Sequence, residues 1–141
     1  MAEDAKHDLH RYLKAGREAL VWKLEGLSEY DIRRPMTPTG TNLLGLVKHQ
    51  ASGEFIYFGD VFGRPHGERL PWWGGATVTL GRILVHMTAE TRRHAGHADI
   101  VREMVDGSVG LLRESDNMSS DDPAWWRDYR DQVEQAAKAA G

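Results

Sequence analysis

The 141-residue chain has no cysteine, which excludes disulfide bonds, zinc sites built on thiolates and a protein thiol nucleophile. It has no apolar run near the ~20 residues that a membrane-spanning helix needs. The charged N-terminus lacks the apolar core of a secretory signal. Basic residues (18) and acidic residues (21) nearly balance, unlike the basic surface of a nucleic-acid-binding protein. We therefore expect a cytoplasmic protein that binds neither membranes nor nucleic acids.

Hydrophobic residues make up 40% of the chain and recur at helical spacing. No stretch of useful length alternates as a strand would. The pattern predicts helices at about 4–25, from 42 to about 58 or 61, at 79–106 and at 123–140. The sequence thus predicts an all-α helical bundle, with residues 1–141 forming one domain.

The longest predicted helix organises the rest of the chain. Thr77 or Thr79 can cap its N-terminus, and Gly107 suits the left-handed residue that ends a helix. Its core-facing stripe is apolar and consists of Leu80, Ile83, Leu84, Met87, Ala98, Val101 and Val105. Arg102 is expected at the surface or in an ion pair, with Asp99 or Glu103 as partner.

Three polar residues, Glu90, His94 and His97, are predicted to interrupt this stripe. Glu90 and His94 are four positions apart and therefore lie on one helix face, a spacing that lets two side chains bind one metal ion. His49 is expected at a packed surface of the second long helix. Two imidazoles and one carboxylate suit zinc, nickel or ferrous iron and leave positions open for water or substrate.

The same residues have a structural interpretation. A glutamate and a histidine at this spacing often form a solvated pair or a single hydrogen bond. His97 is a fourth ligand, a neighbour that orients the site or a simple hydrogen-bonding residue, and His86 could also reach the site. No catalytic residue and no residue that binds an organic cofactor is assigned.

Several motifs resemble the DinB-like superfamily, and most closely its branch of unknown function related to mycothiol-dependent maleylpyruvate isomerase. They are ETRRHAGHADIVREMVDG, LLGLVKHQASGEFIYFGDVFGRP and the tail NMSSDDPAWWRDYRDQVEQAA. The resemblance implies a four-helix bundle with up-down-down-up connectivity that is often dimeric. It also implies a divalent metal bound by His49, Glu90 and His94.

By the same resemblance, characterised members use a low-molecular-weight thiol such as mycothiol or bacillithiol. The metal would deprotonate this thiol for transfer to, or isomerisation of, a small electrophile. The alternative hypothesis is a non-catalytic dimeric bundle, or a decayed relative, in which the polar seam is structural.

The chain departs from the family pattern between its second and third long helices. Relatives place a further helix between the FGRP and PWW segments, whereas here FGRPHGERLPWWGG is continuous. Roughly 30 to 40 residues of the family pattern are missing, and residues 59–78 are predicted to lack regular structure. We expect the C-terminal helix or a second subunit to cover the resulting gap in the bundle.

Overall fold

The computed structural model describes residues 3–59, 62–64 and 79–140, which are mostly helical. The α-helices are α1 (Glu3–Val21), α2 (Glu29–Arg33), α3 (Leu43–Glu54), α4 (Leu80–Asp106) and α5 (Pro123–Ala140). A 3-10 turn, Trp22–Leu24, extends α1, and a π-helical turn, Phe55–Gly59, extends α3. Within these ranges no strand is formed, which confirms the predicted all-α class. None of the described helices is long and apolar enough to cross a membrane.

The ends of α4 are those expected from the sequence. Thr79 is the N-cap, and its hydroxyl accepts a hydrogen bond from the Arg82 amide at 3.2 Å. Gly107 ends the helix with a φ of 79°, a left-handed conformation that favours glycine. At α3 the cap is Asn42, whose side-chain oxygen accepts from the Gly45 amide at 2.8 Å.

Helix α4 is the central element of the packed body, with α1 and α3 against it. Contacts with α1 advance in the same order along both helices, from Gly16 with Thr91 to Lys23 with Asp99, so the two helices run parallel. Contacts with α3 advance in opposite orders, from Gln50 with Thr91 to Gly53 with Met87. Helices α3 and α4 are therefore antiparallel, as an up-down-down-up bundle requires of its second and last helices.

The core between these helices consists of two apolar clusters. One comprises Ala19, Leu20, Leu43, Leu46, Ala95, Ala98 and Val101, and the other comprises Leu13, Ile83, Leu84 and Met87. The buried Thr91 lies between them, where it accepts a hydrogen bond from Gln50 and donates one to the Met87 carbonyl, each at 2.7 Å. Gly16 packs on this threonine so closely that an added Cβ would lie 3.0 Å from its methyl group. The glycine thus permits the close approach of α1.

Buried cations join the C-terminal half of α4 to the end of α1. Lys23 is fully buried and contacts both the Asp99 carboxylate and the Gly110 carbonyl. Arg102, which is 6% exposed, donates to the carbonyls of Lys23 and Glu25 and to both oxygens of Asp106. Arg102 is thus an ion-pair residue, as one of the two expectations had it, but it is buried and its partner is Asp106 rather than Asp99 or Glu103. Asp99 instead forms an ion pair with Lys23.

Helix α5 begins at Pro123 as predicted, with the Asp122 carboxylate accepting from the Ala124 amide at 2.8 Å. It buries none of its residues, although the spacing of Trp126, Tyr129 and Val133 would let them face the body of the protein. Among the described residues α5 does not supply the missing wall of the bundle. That a second subunit covers it stays a prediction. Most of segment 59–78, including the junction where the family pattern loses a helix, lies outside the described residues.

Candidate functional site

The predicted interruption of the α4 stripe is confined to one residue. Thr91 and Ala95 are fully buried at the centre of the contact face. His94 lies beside them with 13% of its side chain exposed, whereas Glu90 is partly exposed and His97 is exposed. The prediction that all three side chains point into the core is wrong because α4 turns its small residues, not its histidines, toward α1.

The structure brings the predicted ligands together around His94. Its Nε2 atom lies 3.6 Å from Oε2 of Glu90, one turn earlier on the same helix. The ring of His49, from α3, meets the His94 ring edge to face with centroids 4.8 Å apart. His49 is itself exposed, so the expectation that it lies at a packed surface is wrong. Its imidazole therefore reaches His94 from the solvent side.

The two ring nitrogens of His94 have different surroundings. Nδ1 lies 3.4 Å from Nδ1 of His97, at the long end of hydrogen-bonding distance. Nε2 is buried and has no hydrogen-bond partner. A buried polar atom without a partner costs about 1–3 kcal/mol, so such atoms are rare outside functional sites.

The electrostatics of the cluster keep His94 neutral. Burial lowers its pKa, and the neighbouring His49, His97 and Arg93 lower it further, against an opposing effect of Glu90. A neutral imidazole retains the lone pair that metal binding requires. His94 thus combines a lowered pKa with a ring nitrogen, Nε2, that has no hydrogen-bond partner. Both features are those of a metal ligand.

His86 is less favourably placed for this site. Its ring contacts Tyr57 of the π-helical turn edge to face, with centroids 4.9 Å apart. It lies a full turn before Glu90 on α4, farther from His94 than His97 is in sequence. We therefore treat His86 as a matched control rather than a ligand.

The donor atoms around His94 are of the kinds that bind a divalent metal, but their side chains are not close enough together to enclose one. The unpaired Nε2 of His94 lies beside the Glu90 carboxylate, and the His49 ring contacts the His94 ring, so two imidazoles and one carboxylate are grouped here. Among residues 3–59, 62–64 and 79–140, however, no three such groups are already close enough to enclose an ion. His49 and Glu90 are on the solvent side of the cluster, where a change of rotamer meets little resistance. The structure therefore describes a His94 cluster with the composition of a metal site.

Comparison with known families gives a match to the mycothiol-S-transferase model over residues 8–74 and 66–107. Together these segments span most of the chain. The chain belongs to the mycothiol-S-transferase family. No curated protein and no solved structure matches it.

The two matched segments of this mycothiol-S-transferase relative meet and overlap at residues 66–74. A break there agrees with the sequence-based expectation that family residues are missing between the second and third long helices. All four predicted site residues, His49, Glu90, His94 and His97, lie inside the matched segments. The match ends at residue 107, where α4 ends, so α5 lies beyond it.

Proposed function

We propose that this protein is a metal-assisted transferase that joins mycothiol, or a similar low-molecular-weight thiol, to a small electrophile. His49, Glu90 and His94 would bind the metal. The observation that carries the proposal is the buried Nε2 of His94, which has no partner and lies beside a carboxylate. Membership of the mycothiol-S-transferase family supports the thiol.

The contact between His94 and His97 supports a specific tautomer. If His94 carries its proton on Nδ1 and donates it to Nδ1 of His97, Nε2 keeps an unprotonated lone pair. Metal-binding histidines commonly donate their other ring N–H in this way, which fixes the ring and raises its basicity. In this proposal His97 positions His94 and does not itself bind the metal.

A divalent metal in this position would lower the pKa of a bound thiol, so that thiolate forms near neutral pH. The chain supplies no thiol of its own, so the sulfur nucleophile has to come from the cosubstrate. In the transfer, the sulfur bonds to the electrophilic carbon, the leaving group departs with its bonding electrons, and the thiol proton passes to water. Glu90 and His49, both on the open side, are suited to meet the incoming ligand.

The test is metal analysis of protein purified without chelator or histidine tag. We expect about one equivalent of zinc, nickel or iron in the natural protein and in His86→Ala, and none in His94→Ala. The metal-loaded protein is then assayed with mycothiol and a panel of electrophiles. Turnover that His94→Ala loses and His86→Ala keeps would support the proposal.

A second hypothesis is that the polar cluster is structural and that the chain does not turn over substrate. It is favoured by the lack, in the part of the chain described, of a preformed group of three ligands. It predicts no bound metal in any variant and folding unchanged by His94→Ala. Metal without turnover on any thiol would instead indicate a decayed relative that keeps the site.

A further inference from the structure

Helix α5 is an amphipathic helix whose apolar face is left largely uncovered by the described part of its own chain. It is 18 residues long, buries none of them and lies outside the family match. In proteins most of the stability of a helix comes from packing its apolar face against another element. The apolar face of α5 therefore requires a contact that the described part of its own chain does not provide.

The uncovered face is an apolar stripe with a spacing of four residues. Trp125, Tyr129 and Val133 are 41%, 49% and 51% exposed. The rings of Trp125 and Tyr129 stack almost in parallel, with centroids 5.3 Å apart and planes 7° apart. Trp126 is anchored differently, through a 2.7 Å hydrogen bond from its indole N–H to the Ser120 carbonyl. The stripe is thus ordered and available.

A groove of about 740 Å³ runs along this helix. It lies between α5, the loop that precedes it and the C-terminal end of α4. Val109 and Met118 contribute apolar side chains from the loop, and Tyr129 and Val133 contribute them from the helix. The groove is large enough to receive side chains from another helix.

We propose that a second copy of this chain covers the stripe, with the α5 helices of the two copies packed on each other and on these grooves. The charges of α5 permit such self-association. Its three basic residues (Arg127, Arg130 and Lys138) are interspersed with three acidic ones (Asp128, Asp131 and Glu134). A surface of mixed sign can match itself across a two-fold axis, whereas a surface of one sign would repel its copy.

The available area is consistent with a weak, specific dimer. At their observed exposures, Trp125 and Tyr129 offer roughly 100 Å² each, and Val133 with Met118 brings the apolar total to about 300 Å² per copy. A two-fold interface uses this patch twice, about 600 Å². Because about 60% of an interface is apolar, the total is about 1,000 Å², the lower bound for a specific interface. We therefore expect a reversible dimer at micromolar concentration.

The experiment measures the mass of the full chain by light scattering and sedimentation over a range of concentrations. Val133→Glu is compared with Val85→Glu, a valine of similar exposure (56%) in α4 that is outside the groove. We expect dimer in the natural protein and in Val85→Glu. In Val133→Glu the dissociation constant should rise at least about tenfold, because a carboxylate would be buried in the interface.

A second measurement uses the absence of cysteine. Single variants Val133→Cys and Val85→Cys carry one thiol each, so any disulfide must join two chains. Under mild oxidation we expect covalent dimer for position 133 and little for position 85, since the Cα atoms must come within about 7 Å.

Three results would overturn the proposal. The first is a monomer at every concentration. The second is a dimer that Val133→Glu leaves intact, which would use another surface. The third is a monomer whose α5 amides are protected from hydrogen exchange, which would mean that the helix folds onto its own chain. Metal content does not enter any of these readouts, so the outcome is independent of the proposed transferase function.

Discussion

Two polar clusters lie on the same helix, α4, and differ in how their hydrogen bonds are satisfied. Around Lys23 and Arg102, the buried cationic groups meet carboxylates or carbonyls, and the bonds link α1, α4 and the loop after Gly107. Around His94, one buried nitrogen has no partner. Within about two turns of one helix, buried polar groups are therefore paired in one cluster and left without a partner in the other.

The difference separates a structural cluster from a binding cluster. Buried charges are tolerated when each is paired, and removing one partner is then costly. An unpaired buried nitrogen lowers stability in the free protein, a cost that a ligand can offset. The predictions that follow test this contrast, beginning with the largest expected effect.

Arg102→Ala should give the largest loss of stability. It removes four hydrogen bonds, among them the buried bond to the Lys23 carbonyl and the partly buried bond to the Glu25 carbonyl. We expect a loss of about 3 kcal/mol and a Tm lower by about 10 °C in calorimetry. Arg113→Ala, which breaks an exposed ion pair with Glu25, is the control and should cost under about 1 kcal/mol. Equal effects of the two variants would contradict the structural role of the buried cluster.

His97→Ala should weaken metal binding without destabilising the fold. Losing the group that accepts the Nδ1 proton of His94 is expected to reduce metal affinity about 10- to 100-fold. Titration with a competing metal indicator measures this, and the exposed His10→Ala is the control. If His97→Ala abolishes binding as His94→Ala does, His97 is itself a ligand.

His94→Leu should be neutral or stabilising in the presence of a chelator. The variant replaces a buried nitrogen that has no partner by an apolar group, for which we expect a gain of up to about 1 kcal/mol. Urea unfolding compares it with the exposed His49→Leu, which should change little. A loss of about 2 kcal/mol or more, the cost of breaking a buried hydrogen bond, would mean that Nε2 already has a partner.

Asp106→Asn should slightly change how the free energy of unfolding depends on pH in the acid range. The hydrogen bond from Arg102 lowers the pKa of Asp106 below its usual range. The carboxylate therefore contributes stability above the unfolded-state pKa of about 3.9 and loses it as pH falls through the lowered folded-state value. Because Asp106 is about one-third exposed, we expect a difference of about 1 kcal/mol or less at pH 7 that vanishes in acid. Urea unfolding from pH 7 to 3 measures the difference in the free energy of unfolding between the variant and the natural protein. A difference that does not change with pH would contradict an ionic contribution of Asp106.

The features predicted correctly from sequence depend on local signals. The bounds of α4 follow from Thr79 and Gly107, and the start of α5 follows from Asp122 and Pro123. Each signal acts within one helical turn, so the chain elsewhere does not alter it. The predicted start of α3 at residue 42 is one residue early, because Asn42 is itself the N-cap and the helix begins at Leu43.

The features that sequence reasoning missed depend on distant partners. Lys23 is buried because Asp99 and Gly110 approach it from more than 70 positions away, and no periodicity indicates that. The polar pair Gln50 and Thr91 joins two helices in the same way. In the candidate site, the spacing of Glu90 and His94 predicts that they lie side by side, as they do, whereas the exposure of His49 depends on tertiary structure that its own helix does not reveal.

The contacts of Gly110 and Leu111 bear on where the folding unit ends. The family match stops at residue 107, yet the carbonyl of Gly110 receives Lys23 and that of Leu111 receives the Trp22 indole at 2.9 Å. A chain cut after Gly107 would leave an ammonium group and an indole N–H buried at the end of α1 without these acceptors. A truncation that keeps the acceptors of Lys23 and Trp22 must therefore retain the chain at least through Leu111, four residues beyond the end of the family match.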